Sequence, residues 1–150
     1  MKNRGYFGIG IENTKTKANI GTLWRSAHGF GAAFIFVIGN RYKKQVSDTI
    51  KATRHIPMYH YNTFEQFYEN IPEDCLLIGV ELNEKARFLE SYGHSERAIY
   101  LLGAEDVGLS KIALEKCHSL IQFESKSCLN VSVAGSIVMY DRQQKLKELK

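Results

Sequence analysis

The sequence predicts an α/β fold with a mostly parallel sheet covered by helices on both faces. Three observations lead there. Apolar runs of strand length, 33–38, 75–80 and 98–102, recur along the chain. Segments with helical apolar spacing or a capping residue lie between them. The runs are apolar at consecutive positions, as strands buried on both faces are, and alternating β and α elements favour a parallel sheet. At 150 residues, the chain suits one compact domain, 1–150, with no internal repeat, low-complexity tract or linker.

The elements follow in order. Segment 5–11 alternates β-formers with Gly5, Gly8 and Gly10 and reads as a first strand whose backbone is closely approached on one face. A polar loop from Glu12 to Ala18 follows. Asn19 is then the expected N-cap of a helix whose Ile20, Leu23, Trp24 and Ala27 share one face, stopped by Gly29 or Gly31. Run 33–38 is a strand and 46–52 a helix; 58–61 is a short strand and 64–68 a helix. Beyond the buried strand 75–80, residues 86–92 carry a weaker helical pattern. After strand 98–102, Ser110 caps a helix containing Ile112, Ala113 and Leu114, and 119–123 is the last strand before a helix opened by Asn130.

Composition limits the function classes. The chain is 44% hydrophobic and 24% charged, and no segment approaches the roughly 18 to 20 consecutive apolar residues of a membrane span. The N-terminus lacks the apolar core of a secretory signal, so a cytoplasmic protein is expected. Cys75, Cys117 and Cys128 show no paired spacing, and five histidines are scattered. Reduced thiols and no metal site are expected. The net charge of +4 suits an anionic partner without requiring one.

Three polar constellations stand at predicted element ends. Asn19 and Arg25 are six residues apart, about 600° around a helix, so their side chains diverge by roughly 120° unless Asn19 is the cap. The pair reads either as cap and phosphate-binding guanidinium or as cap and solvated arginine. Gly103-Ala104-Glu105-Asp106-Val107-Gly108-Leu109 follows a strand, where open α/β sheets bind ligands, yet also reads as a hydrogen-bonded turn; it is not a dinucleotide fingerprint. Glu124 to Leu129 is small and polar and leads into Asn130, Val131 and Ser132, whose helix start offers free N–H donors. No base stands near Cys128, which favours a small loop residue over a nucleophile.

Together and in this order, the segments resemble the three motifs of the SpoU (TrmH) RNA 2′-O-ribose methyltransferases of the SPOUT superfamily. The resemblance rests on Asn19 and Arg25; on Gly103, Glu105, Gly108 and Leu109; and on Leu129, Asn130, Val131, Ser132 and Ala134, across about residues 7 to 140. Cys128 stands where the family usually has Ser, and Gln122 where Pro often follows Ile.

The resemblance implies a C-terminal trefoil knot, which runs against the general rarity of threaded chains. It implies S-adenosylmethionine as cofactor, held by Val80, Glu81, Leu82, Leu102, Gly103, Gly108, Ile121, Phe123, Cys128 and Leu129. It implies methyl transfer to a ribose 2′-hydroxyl of RNA, with Arg25 acting on the hydroxyl, Asn19 and Asn130 orienting, and Glu105 bracing. It implies a homodimer, and it directs the expectation to tRNA, with rRNA or a catalytically inactive RNA-binding protein as alternatives. Arg25, Arg41, Lys43, Arg54 and Arg142 are the expected phosphate contacts, with a solvated charged face as the other reading.

Overall fold

A computed structural model describes residues 5–41 and 55–148. Its strands are β1 (Tyr6–Glu12), β2 (Phe34–Ile38), β3 (Met58–Tyr61), β4 (Leu76–Val80), β5 (Arg87–Phe88), β6 (Arg97–Gly103) and β7 (Ser119–Gln122). Its α-helices are α1 (Lys17–Gly29), α2 (Phe64–Glu69), α3 (Lys111–Lys116) and α4 (Val131–Glu148). The expected helix at 46–52 lies outside the described residues, as do Lys43 and Arg54.

The strands form one sheet in the order β3-β2-β1-β6-β4-β7-β5, and every pairing between them is parallel. The mostly parallel sheet expected from the apolar runs is therefore present. Both faces are covered because each central strand sends successive side chains into two cores. Ala98, Tyr100 and Leu102 of β6 join Ile20, Leu23 and Trp24 of α1 and Val138 and Met139 of α4. Ile99 and Leu101 instead meet Phe64 and Phe67 of α2 and Ala113 of α3. The glycines of β1 are explained by the neighbouring strand: a Cβ at Gly8 or Gly10 would fall within 2.5 Å of the Phe34 or Phe36 ring.

Two element assignments are corrected. The first helix begins three residues earlier than expected, with Thr16 at its cap position, and Asn19 lies buried in its first turn. Nothing in Lys17-Ala18 resists helix, so the helix extends back and frees the Asn19 side chain for other work. Residues 86–92 form no α-helix; they hold the two-residue edge strand β5 and a 3₁₀ turn, Leu89–Ser91. Ser110 does cap α3, its hydroxyl accepting from the Ala113 N–H at 3.2 Å.

Arg142 is not a surface residue. It is 5% exposed, and its guanidinium donates to the carbonyls of Ser95 and Glu96 at 2.6 and 2.7 Å and to the Tyr100 hydroxyl at 3.1 Å. The charge also lies 4.9 Å from the centre of the Phe7 ring. With its donors satisfied inside the fold, Arg142 ties α4 to the start of β6 and presents nothing to a phosphate. No helix of the described residues is long and apolar enough to cross a membrane.

Candidate active site

Because the strands are parallel, their carboxyl ends share one edge of the sheet, where ligands bind in open α/β folds. There the loops after β4, β6 and β7 and the start of α4 enclose a cavity of about 270 Å³. Val80, Leu102, Leu129, Val131 and Ala134 give it apolar walls. Glu81, Glu105 and Cys128 are among its polar lining.

The loop after β6 is folded tightly against that cavity. Gly108 has φ of +69°, and its N–H donates to the Ala104 carbonyl at 2.8 Å. A Cβ at Gly103 would meet the Gly108 backbone at 2.4 Å, and one at Gly108 would meet the Glu81 carboxylate at 2.9 Å. Both positions therefore exclude side chains, for contact at the first and for contact and backbone conformation at the second. Two carboxylates hold the end of this loop. Glu81 Oε2 accepts from the Leu109 N–H at 2.7 Å. Glu12, buried at the end of β1, accepts from the N–H and the hydroxyl of Ser110, both at 2.7 Å.

At the mouth, three distant residues converge. Asn19 Nδ2 donates to Glu105 Oε1 at 2.6 Å, and Asn130 Nδ2 donates to Asn19 Oδ1 at 2.9 Å and to Glu105 Oε1 at 3.3 Å. Asn130 Oδ1 faces the other way and accepts from the Ser132 N–H at 2.9 Å and from the Ser132 hydroxyl, capping α4. Glu105 Oε1 thus takes two amide donors while Oε2 makes no hydrogen bond among the described residues.

Compared with known families, the chain matches the SpoU rRNA Methylase family over residues 7–140. The chain belongs to that family. An uncharacterized tRNA/rRNA methyltransferase of Archaeoglobus fulgidus is 25% identical over 91% of this chain, which spans 63% of that relative's length. Solved structures share the fold. The SpoU methyltransferase AviRb of Streptomyces viridochromogenes, in complex with the cofactor AdoMet, superposes with a TM-score of 0.84 at 19% identity, covering 98% of this chain and 60% of that one. A structure described as giving insights into 2-OH methylation of C/U34 on tRNA superposes with a TM-score of 0.83 at 17% identity, covering 96% and 98%.

Against the SpoU motifs, the structure brings Asn19, Glu105 and Asn130 together and leaves Arg25 apart. Arg25 is exposed on α1 and makes no hydrogen bond or ion pair among the described residues. Of the residues expected around a cofactor, Val80, Glu81, Leu82, Leu102, Gly103, Gly108, Phe123, Cys128 and Leu129 line the cavity. Ile121 does not. Its side chain is fully buried in the core, and its carbonyl accepts from the Glu81 N–H at 3.1 Å. Sequence reading missed Glu12, assigned to a loop, and the loop-holding role of Glu81. A carboxylate directly after the apolar run Phe7-Gly8-Ile9-Gly10-Ile11 was the available signal for the first.

Proposed function

We propose that this SpoU-family protein transfers the methyl group of S-adenosylmethionine to a ribose 2′-hydroxyl of RNA, preferring tRNA to rRNA. The observation that carries the reading is the Asn19–Glu105–Asn130 cluster at the lip of an apolar cavity. The residues present fit the cofactor. Val80, Leu102 and Ala134 supply walls for its apolar parts, glycine backbone admits close approach, and the carboxylates of Glu81 and Glu105 suit a cationic ligand.

When bound, the cofactor supplies a methyl group already activated on a positively charged sulfur. The protein's work is to place the 2′-oxygen in line with that methyl and to ease the loss of its proton. In this reading Glu105 accepts from the ribose through its open Oε2, while Asn19 and Asn130 fix the carboxylate's direction. Arg25 stabilises the oxygen as it becomes negative, since a guanidinium is a poor proton acceptor at neutral pH.

Arg25 is proposed to act from a second copy of the chain. Val133, Ile137 and Tyr140, at 46, 38 and 56% exposure, form an apolar stripe along α4 at helical spacing. Burying it against the same stripe of a partner would make a two-fold dimer and carry Arg25 across. The trefoil knot belongs to the same proposal. Its support is the placement of β7 between β4 and β5, two strands laid down earlier in the chain.

The test is transfer of labelled methyl from S-adenosylmethionine to separated unmodified tRNA and rRNA pools in cytoplasmic conditions, with nucleoside analysis. A 2′-O-methylated nucleoside from the tRNA pool is expected. Label on a base, or cofactor binding without transfer to either pool, would overturn the reading.

A further inference from the structure

Beside the Asn19–Glu105–Asn130 cluster, the next residue of the same loop gathers cations from two other loops. Arg41, which follows β2, spreads its guanidinium over Asp106, with Nη1 donating to Oδ1 at 3.2 Å and Nη2 to Oδ2 at 2.7 Å. Its Nη1 also donates to the Asn13 carbonyl at 2.9 Å. Lys15, in the loop between β1 and α1, approaches the same Oδ2 at 3.3 Å. Two positive charges therefore meet one negative charge, and the group carries a surplus.

The side chains of Lys15, Arg41 and Asp106 are 56, 35 and 36% exposed, so solvent and solutes reach all three. The backbone is shaped around them. Asn13 has φ of +60°, and no other described non-glycine residue has a positive φ. Its N–H donates to the Ile38 carbonyl at 2.8 Å, which ties the β1–α1 loop to the end of β2, from which Arg41 leaves. Exposed ion pairs contribute little to stability, about 0–1 kcal/mol. The ion pairs alone therefore give the fold little reason to bring three loops to one carboxylate.

We propose that Lys15 and Arg41 form a seat for one backbone phosphate of the substrate RNA, and that Asp106 occupies the seat until the RNA displaces it. The inference rests on the RNA-methylation reading and adds to it where the strand lies. A guanidinium binds carboxylate and phosphate through the same planar pair of donors, so one anion replaces the other without rebuilding the site. A phosphodiester, like the carboxylate, presents two anionic oxygens and one negative charge, so it can take the donors of Arg41 and Lys15 together. Because Asp106 follows Glu105 directly, a phosphate held there anchors the strand next to the ribose. Asp106 meanwhile weakens capture of unrelated anions, a repulsive element that favours specificity over raw affinity.

The test measures binding of a fluorescent unmodified tRNA transcript and a matched rRNA fragment to the full chain by anisotropy across a salt series. Calorimetric S-adenosylmethionine binding serves as the folding control. Arg41→Ala is expected to weaken RNA binding about tenfold and lower the salt slope by about one. Asp106→Asn is expected to strengthen RNA binding several-fold at low salt and steepen the slope, with cofactor affinity unchanged. Weakened or unaltered RNA binding by folded Asp106→Asn would overturn the proposal. If Asp106→Asn loses cofactor binding, Lys15→Ala decides: weaker RNA binding with a shallower slope supports the seat, and no change overturns it. Wild-type protein that binds cofactor but neither RNA overturns the functional reading and the seat together. RNA binding indifferent to all three variants overturns the seat alone.

Discussion

Asn130 Nδ2 donates to Asn19 Oδ1 across 2.9 Å, joining the residue before the last helix to the first turn of the first helix, 111 positions away. The two ends of the Asn130 amide do different jobs. Its oxygen caps α4, and its nitrogen fixes Asn19 and Glu105. The amide orientation is therefore determined on both sides, and substitution can separate capping from site geometry.

Asn130→Asp retains an oxygen for the α4 N–H groups but replaces the donating nitrogen with a second negative oxygen facing Glu105. Asp caps about as well as Asn, so the thermal midpoint should stay close to wild type. Methyl transfer should fall about 100-fold as the cluster is repelled apart. Asn130→Ala should lose both functions, with about 1 kcal/mol of stability gone. Paired melting and transfer assays read the two effects, and full activity in Asn130→Asp would contradict the assigned role.

Arg25→Ala removes an exposed side chain with no hydrogen bond or ion pair among the described residues, so stability should change by no more than about 0.5 kcal/mol. Transfer should still drop by about 100-fold or more. If Arg25 serves the neighbouring copy, mixing Arg25→Ala with Asn130→Asp under exchange conditions restores part of the activity, because each mixed dimer holds one intact site. Absence of any restoration in verified mixed dimers would place Arg25 with its own chain's site or outside the site altogether.

The three thiols should separate by reactivity. Burial pushes the Cys117 thiol up to about 12, and Cys75 is buried with its sulfur 3.2 Å from the Tyr6 hydroxyl. Cys128 is exposed and lines the candidate cofactor cavity. A charged alkylating reagent is expected to label Cys128 alone in the folded protein, and S-adenosylmethionine should slow that labelling. Peptide mapping of the modified protein gives the answer, and labelling of Cys128 at the same rate with saturating cofactor would separate the cavity from cofactor binding.

Strands β2, β4 and β6 were legible because central strands buried on both faces read as uninterrupted apolar runs. Helix α1 was legible from the spacing of Ile20, Leu23, Trp24 and Ala27. Strand β5 was not: two exposed residues paired on one side leave no pattern to read. Asn19, Glu105 and Asn130 were found through motif order, but their mutual contacts depend on parallel strands delivering three loops to one edge, which no local spacing encodes. Arg142 was misplaced for a related reason. A cation near the end of a polar helix looks solvent-bound unless the carbonyls of Ser95 and Glu96 are known to lie beneath it. Segment 103–109 reads as a ligand-facing or hydrogen-bonded turn, and nothing in its spacing shows that Asp106 meets Arg41 and Lys15 from two other loops.

At the start of β6, a buried network makes stability depend on pH. His94 Nδ1 lies 2.7 Å from the Tyr100 hydroxyl, and Nε2 lies 2.7 Å from Asp141 Oδ2. Arg142 donates to the Tyr100 oxygen, leaving the Tyr100 proton for Nδ1, so the neutral ring with hydrogen on Nε2 satisfies every partner. Burial lowers the His94 pKa from 6.5; Asp141 opposes the shift in part, while Lys145 and Arg142 add to it. With the folded value below the unfolded one, the unfolded chain binds more protons between them, and stability rises with pH there. The contribution is fully present above about 6.5 and is lost as pH falls toward the folded value. The urea midpoint should therefore drop between pH 7.5 and 5.5. His94→Gln, which keeps an acceptor and a donor but cannot titrate, should show a smaller drop than wild type. Equal drops in the two proteins would mean that the ring does not gain its proton on unfolding and that the acid sensitivity arises elsewhere.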